Sequence, residues 1–412
     1  MNRKLHILMM TCHRRFKCDA RGYPMAKHLV ERGHDVTLVV TADCRRLGIV
    51  EADWDGVWTV ETPDLLWGRL RSGLDPWNTL NRVLYLRTDE RPYDLMHCFE
   101  TRPTNIYPAL LYKRRHHLPM IADWMDWHGR GGIIDELRPS WYRALFGHIE
   151  TYYEEAFRAR ADGLTVISTA LADRAMKLGV QPTRMCYLPN GSWPDRSTVP
   201  DSAACRRRVG LDVAGPVIGF SSLDSHLDLD LIMEVLAQIV RQYPDAQLLI
   251  TGHAPQKISE LAHTYDMQRN LILTGFLPYE QLPWYLGCAD LFVMPFPDKV
   301  YNIGRWPSKV NDYMSVGRPT VSNPFGDVRG LFEKHKIGLL ANWDSEDFAQ
   351  KIIFLLEHPD IAGELGRNAR RAAATEYNWK LLIRNLEEFY YRILDMSSGN
   401  PTILQDSSPT SA

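Results

Sequence analysis

Short apolar runs and amphipathic stretches alternate along nearly the whole chain. Residues 5–10 (Leu-His-Ile-Leu-Met-Met) are an apolar run of strand length, a loop covers 11–22, and a helix is expected over about 23–32. Gly33-His34 closes that helix, and 36–40 (Val-Thr-Leu-Val-Val) reads as the next strand. Strand, helix and strand in this order form a βαβ unit and call for a parallel sheet. Further strands are expected at 95–98, 120–122, 163–167 and 185–188, with helices between them.

The alternation pauses over 190–215, a stretch rich in turn formers that reads as a link between domains. It then restarts, with strands at 217–220, 247–251, 271–274, 291–294, 319–322 and 338–340 and a helix over 228–242. Helices over 345–356 and 379–396 follow. The expected class is α/β, with two doubly wound Rossmann-like domains at 1–195 and 205–378. The 379–396 helix is expected to pack back on the first domain, and the Ser/Pro/Thr-rich tail 397–412 to be disordered. Doubly wound sheets bind ligands beyond the C-terminal ends of their strands, so two halves facing each other imply a central cleft.

Composition narrows the class without choosing a function. The 412 residues are 45% hydrophobic and 24% charged, an ordinary balance for a globular protein, and a net charge of −2 gives no push toward nucleic acid. Seven scattered cysteines without a CxxC pair favour reduced thiols and no structural zinc. The N-terminus is a first buried strand and not an export signal, and no window reaches the ~20 apolar residues of a membrane span, so a cytosolic protein is the simplest expectation.

The most chemically informative segment is 302–326. A polar loop runs into a short helix that starts near Pro307 and stops at Gly317. Lys309, Asp312 and Tyr313 share one face at i, i+3, i+4 spacing. A helix N-terminus beside a lysine suits a diphosphate, and a carboxylate one turn deeper suits ribose hydroxyls. The alternative is an ordinary surface helix with a solvated Lys and Asp.

Several phrases then coincide in order. They are Asp19-Ala20-Arg21-Gly22, Glu31-Arg32-Gly33-His34-Asp35-Val36-Thr37, Pro189-Asn190-Gly191, Thr274-Gly275-Phe276-Leu277-Pro278, Ala289-Asp290-Leu291-Phe292-Val293-Met294-Pro295 and the 307–319 segment. Over residues 3 to 395 the chain resembles the GT-B-fold glycosyltransferases, in particular the retaining glycosyltransferase family 4. The resemblance implies a nucleoside diphosphate sugar held mostly by the second domain and an acceptor held mostly by the first. It places Asp312 on the donor ribose, Ser308 and Lys309 beside the diphosphate, Phe276 and Leu277 at the base, and Arg21 and Gly22 in a glycine loop approaching the donor. Ser222 and Gly252, at strand ends, complete the donor set. There are two departures. The family's first motif Glu falls on Gly304, with Asn302 or Arg305 as replacements, and the usual Arg and Lys after the first strand of the second domain are missing. Arg305, Lys309 and Arg21 are the possible substitutes for those cations.

On the acceptor side, Asp123-Trp124-Met125-Asp126-Trp127-His128-Gly129-Arg130-Gly131-Gly132 follows a strand and ends in what reads as a flexible glycine turn. Its position resembles the family's acceptor-side catalytic loop, with Asp126, and next His128, as the group that takes a hydroxyl proton. The alternative is Asp126 as a helix cap. His97 reads as a structural histidine, and His253 either borders the nucleotide or is a plain loop residue. Asp228-Leu229-Asp230 looks like a DxD metal signature but opens a helix, so no metal or other cofactor is expected. The basic and aromatic stretches 113–117 and 137–146 are either solvated faces or contacts with an anionic membrane.

The resulting expectation is a sugar transfer from a nucleoside diphosphate sugar to a hydroxyl of a glycan or lipid-linked acceptor, with retention, and no nucleic-acid partner. A nucleotide-sugar 2-epimerase of the same fold and a non-catalytic binding subunit remain as alternatives.

Overall fold

The computed structural model describes residues 3–14, 21–65, 70, 72–195, 199–222, 229–253 and 256–398. They form two compact units, one reaching Leu188 and taking up the chain again from Leu382, the other Pro189–Leu381. Asp19, Ala20, the 223–228 stretch with Asp228, Ala254-Pro255 and the tail from 399 lie outside the described residues.

The first unit is built on β1 (His6–Arg14), β2 (Asp35–Thr41), β3 (Val50–Trp54), β4 (Val57–Thr62), β5 (Leu95–Phe99), β6 (Met120–Trp124), β7 (Gly163–Val166) and β8 (Met185–Tyr187). Their order is β3-β4-β2-β1-β5-β6-β7-β8, parallel except for the β3–β4 hairpin. β1 extends into the stretch expected to be loop because Thr11 pairs with Phe99 and Arg14 with Thr41. The hairpin turns on Asp55 and Gly56, both left-handed at φ 56° and 85°, the Asp-Gly geometry whose twist matches the flanking strands. The Trp379–Ser398 helix buries Leu386, Phe389, Tyr390 and Ile393, an i, i+3, i+4, i+7 stripe. Glu387 of that helix pairs with Arg32 and with His34 at 3.0 Å. A Cβ on Gly163 would sit 2.8 Å from Phe389, so only glycine lets the helix approach there.

The second unit holds β9 (Val217–Ser222), β10 (Gln247–Gly252), β11 (Leu271–Leu273), β12 (Leu291–Met294), β13 (Thr320–Ser322) and β14 (Gly338–Leu340). They are all parallel, in the order β11-β10-β9-β12-β13-β14. The turn-rich 190–215 stretch is no bare link. The chain passes between units at Leu188–Pro189, and Ser202–Val209 is a helix capped by Asp201, whose carboxylate accepts from Ala204 N at 2.9 Å. Arg206 ties that helix to Asp290 at 2.6 Å, so the Asp, Gly and Pro there are cap and stop signals. A further helix, Pro359–Thr375, occupies sequence to which the apolar pattern assigned no element.

Both sheets share one feature. The chain begins in the middle, winds to one edge, and then crosses to the other side. The switch points lie between β1 and β5 and between β9 and β12. At such a point the connections diverge and leave a crevice beyond the strand ends.

Candidate functional site

In the first unit the crevice beyond β1 and β5 gathers charge. Glu100 directly follows β5, is buried, and has φ +68°, a left-handed conformation unusual for a residue with a side chain. Its carboxylate faces His128 Nε2 at 3.7 Å and Arg158 at 3.6 Å. Burial alone would raise this carboxyl, but His128, Arg102 and Arg158 together hold it well below the usual carboxylate range. His128 Nε2 also lies 4.0 Å from Asp126. His13, at the end of β1, sits in the field of Glu100, Arg102 and Asp126, and burial lowers its pKa.

The loop carrying Asp126 and His128 is pinned, not flexible. Glu154, buried on the Ser140–Ala159 helix, accepts from the backbone N–H of His128 and of Gly129, both at 2.6 Å. Thr151 Oγ1 accepts from Arg130 N at 3.0 Å, and Arg174 donates to Arg130 O at 2.9 Å while stacking on Trp127. A Cβ on Gly129 would meet Glu154 Oε2 at 2.4 Å, and one on Gly132 the Trp127 carbonyl at 2.2 Å. These glycines are required by close approach. The following helix, Ile133–Leu137, is capped by Gly132, so Asp126 caps no helix.

Two residues of this region are spent on the fold. Arg21 is buried, and its guanidinium makes two bonds to Asp123, at 2.8 and 2.6 Å. Its expected place beside a diphosphate is replaced by this buried pair, which fixes the start of the Gly22–Glu31 helix. Asp123 also accepts from Thr165 at 2.5 Å, and the chain continues through His97 to Tyr390 at 3.1 and 2.7 Å. Burial lowers His97 to about 4. With Thr165 donating to Asp123 and Tyr390 donating to Nδ1, the neutral imidazole carries its proton on Nε2. His97 is thus a satisfied core histidine. Gly22 opens its helix in ordinary backbone geometry.

In the second unit most residues of the expected donor set lie around the β9/β12 switch point. The Ser308–Val316 helix starts after Pro307 and stops at Gly317, which is left-handed at φ 69°. Tyr313 stacks on Phe292 at 3.8 Å and accepts from Ser221 N at 2.8 Å, locking the helix against the end of β9. Lys309 is buried with Nζ over the rings of Phe220 and Phe296, 4.6 and 5.3 Å from their centroids. Asp312 is half-buried with no partner among the described residues, and burial raises its carboxyl to about 7. Ser222 Oγ and Asn302 Oδ1 are buried without a hydrogen-bond partner among the described residues. Asn302 uses its other end to donate to Pro297 O at 2.8 Å. Arg305 is held by Tyr301 O and lies over that ring. Gly304 caps the Val300–Ile303 helix at φ −76°, a conformation open to any residue.

Gly252 ends β10 at φ +90°, and a Cβ there would strike Ser222 O at 2.2 Å. Next to it His253 stacks on Phe276 at 6.4 Å, and Phe276 is 74% exposed. Leu277 is half-buried beside it, and Ser308 is the first residue of its helix. Among the described residues no three His, Cys, Asp or Glu side chains are grouped to hold a metal.

Two family models match the chain. Residues 21–191 match the glycosyl transferase 4-like domain, and residues 207–372 match glycosyl transferases group 1. The chain belongs to the family 4-like glycosyltransferases of the GT-B fold. Among curated relatives, the alpha-D-kanosaminyltransferase of Streptomyces kanamyceticus is 23% identical over 47% of this chain and 50% of its own length. The GDP-mannose-dependent alpha-(1-6)-phosphatidylinositol monomannoside mannosyltransferase of Mycolicibacterium smegmatis is 29% identical over 53% of this chain and 59% of its own. The chain thus spans between half and three fifths of the length of these relatives. Among solved structures, sucrose-phosphate synthase from Thermosynechococcus elongatus superposes with a TM-score of 0.74 at 17% identity, over 95% of this chain and all of the other. HepE of Anabaena, solved with UDP and glucose, superposes at 0.68 with 14% identity over 94% and 99%. These likenesses establish the shared fold.

The helix over Ser308–Val316 lies where the sequence pattern puts it, and the 123–132 segment follows a strand as expected. The sequence did not single out Glu100, Glu154 or His13. For Glu100 the available signal was its place immediately after a buried strand at the expected crevice.

Proposed function

We propose that this glycosyltransferase moves a sugar from a nucleoside diphosphate sugar to a hydroxyl of a glycan or lipid-linked acceptor, with retention. The observation that carries this is the set of unspent polar groups at the second unit's switch point. Asp312, Ser222 and Asn302 all keep acceptor capacity beside a helix N-terminus and a buried lysine. Buried polar groups without partners are costly, and a ligand rich in hydroxyls and phosphate oxygens would satisfy them. Asp312 accepts from the ribose, and the Ser308–Val316 N-terminus with Lys309 takes the diphosphate.

In the reaction the bond from the anomeric carbon to the diphosphate oxygen breaks, and its electrons leave with the nucleotide. The helix dipole and Lys309 stabilise that developing charge. The acceptor oxygen bonds to the anomeric carbon on the face that the diphosphate leaves, which retains the configuration, and gives up its proton to a base; the first unit offers His128 or Asp126 for this, with ionised Glu100 facing the imidazole. The experiment is to assay release of nucleoside diphosphate and labelled product from each common donor, with and without candidate acceptors. Acceptor-dependent release supports transfer. Conversion of the donor alone to an isomer supports the epimerase alternative and overturns the proposal.

A further inference from the structure

The first unit also carries an apolar surface that sugar transfer by itself does not use. The Ser140–Ala159 helix buries only Thr151, Glu154, Phe157 and Arg158, all in its second half. Its exposed side has two adjacent apolar stripes. Tyr142, Phe146 and Ile149 line a recess whose other wall includes Glu100, Arg102 and His128. Trp141, Leu145 and Tyr152 stand outside the recess lining and are 62%, 65% and 52% exposed. Tyr153 carries the surface onward, edge-on to Tyr152 at 5.8 Å and to Tyr107 at 6.1 Å. Tyr107 lies on the Pro103–His116 helix, where exposed Leu111 follows one turn later and Arg114 and Arg115 a turn beyond.

Scattered exposed apolar residues are normal, but a continuous stripe across two helices calls for a cover. The charge at its ends says which. Arg114 and Arg115 stand at one end, and exposed Arg138 and Arg143 at the other. The nearby acids Glu150 and Asp135 accept from Tyr142 OH and Gly131 N and keep their charge, but the four arginines at the two ends outnumber them. A two-fold pairing with a second copy would set arginines against arginines in either alignment. A bilayer with anionic headgroups meets both the cations and the aromatic and aliphatic side chains.

We propose that this face docks on an anionic phospholipid bilayer, with Trp141, Leu145 and Tyr152 at headgroup depth and the flanking arginines on lipid phosphates. Docking so oriented sets the mouth of the Glu100–His128 recess at the membrane surface. Resting on the transferase reading, it commits the acceptor to the lipid-linked class.

The test is flotation of the full chain with phosphatidylcholine vesicles and with vesicles containing phosphatidylglycerol. The unaltered protein should float with the anionic vesicles at low salt and be released at high salt. The double variant W141E/L145E, changed only at exposed positions outside the recess, should lose binding at least tenfold, and R138E/R143E should lose it on the anionic vesicles. Light scattering and a nucleotide melting-shift assay run alongside. No flotation of the unaltered protein, equal binding to neutral vesicles, or undiminished binding of W141E/L145E overturns the proposal. So does a dimer that W141E/L145E dissociates, which makes the face a self-interface. Loss of any nucleotide response in protein that still floats defeats the transferase reading and leaves the docking face standing.

Discussion

Asp312 gives the sharpest residue-level test. An ionised carboxylate that accepts ribose hydroxyls contributes ~1.5–3 kcal/mol, so Asp312→Ala should weaken nucleotide binding roughly 10- to 100-fold with the melting temperature maintained. Calorimetric titration checks this. The pH dependence has a defined sign. Burial raises this acid from 3.8 to about 7, so folding favours its protonated form. Its contribution to the free protein's stability falls as pH climbs from about 4 to about 7. Binding that needs the ionised form should therefore strengthen between about pH 6 and 8 for a nucleoside diphosphate sugar, and Asp312→Asn should flatten the profile. On the acceptor side, Glu100→Gln removes the charge facing His128 and should slow transfer about 10²- to 10⁴-fold with unchanged donor affinity, read by single-turnover assay and titration. The helix that carries Lys309 and Asp312 was legible because Pro307 and Gly317 punctuate its two ends. Glu100 was not, because nothing local distinguishes an acid after a strand from a solvated one; its partners His128 and Arg158 arrive only through the fold. Arg21 was misread for the same reason, its partner Asp123 lying 102 positions away.

Elements hold these groups in place, and their weak points are where backbone and side chain meet closely. Glu154→Ala would take one of two partners from Arg174, which keeps Glu155 at 2.7 Å, and leave two loop N–H groups without their carboxylate. Each buried donor left unsatisfied costs about 1–3 kcal/mol, so the variant should melt well below the parent in a thermal scan. Gly129→Ala should destabilise by about 1–3 kcal/mol, because its methyl lands on that carboxylate. Gly252→Ala adds a left-handed backbone to a clash with Ser222 O and should impair donor binding as well as stability. Strand and helix positions in the βαβ repeats were readable because both faces of a parallel sheet are covered, which leaves near-continuous apolar runs. The β3–β4 hairpin was missed although Asp55-Gly56 is a strong turn signal, since β3 is largely exposed and carries little apolar contrast to mark it as the partner of buried β4. The Ser202–Val209 helix was hidden because cap and stop residues have the same composition as a linker.

The whole molecule consists of two doubly wound units, each with one topological switch point and chemistry-bearing side chains beyond its strand ends. The alternation of strands and helices announced the two units, and the order of six short phrases announced the family. Donor base, sugar and acceptor are not encoded at that scale, because a fold supports many substrates through its loops. The central claim is that the second unit binds a nucleoside diphosphate through the groups at its switch point. The most direct measurement is a melting-temperature panel with UDP, GDP, ADP, CDP and dTDP, run on the parent protein and on Asp312→Ala. A ligand that binds only the folded state must raise the melting temperature. At least one diphosphate should give a clear rise that Asp312→Ala abolishes or strongly reduces. No rise with any of them at millimolar concentration, or a rise that Asp312→Ala leaves intact, would contradict the claim.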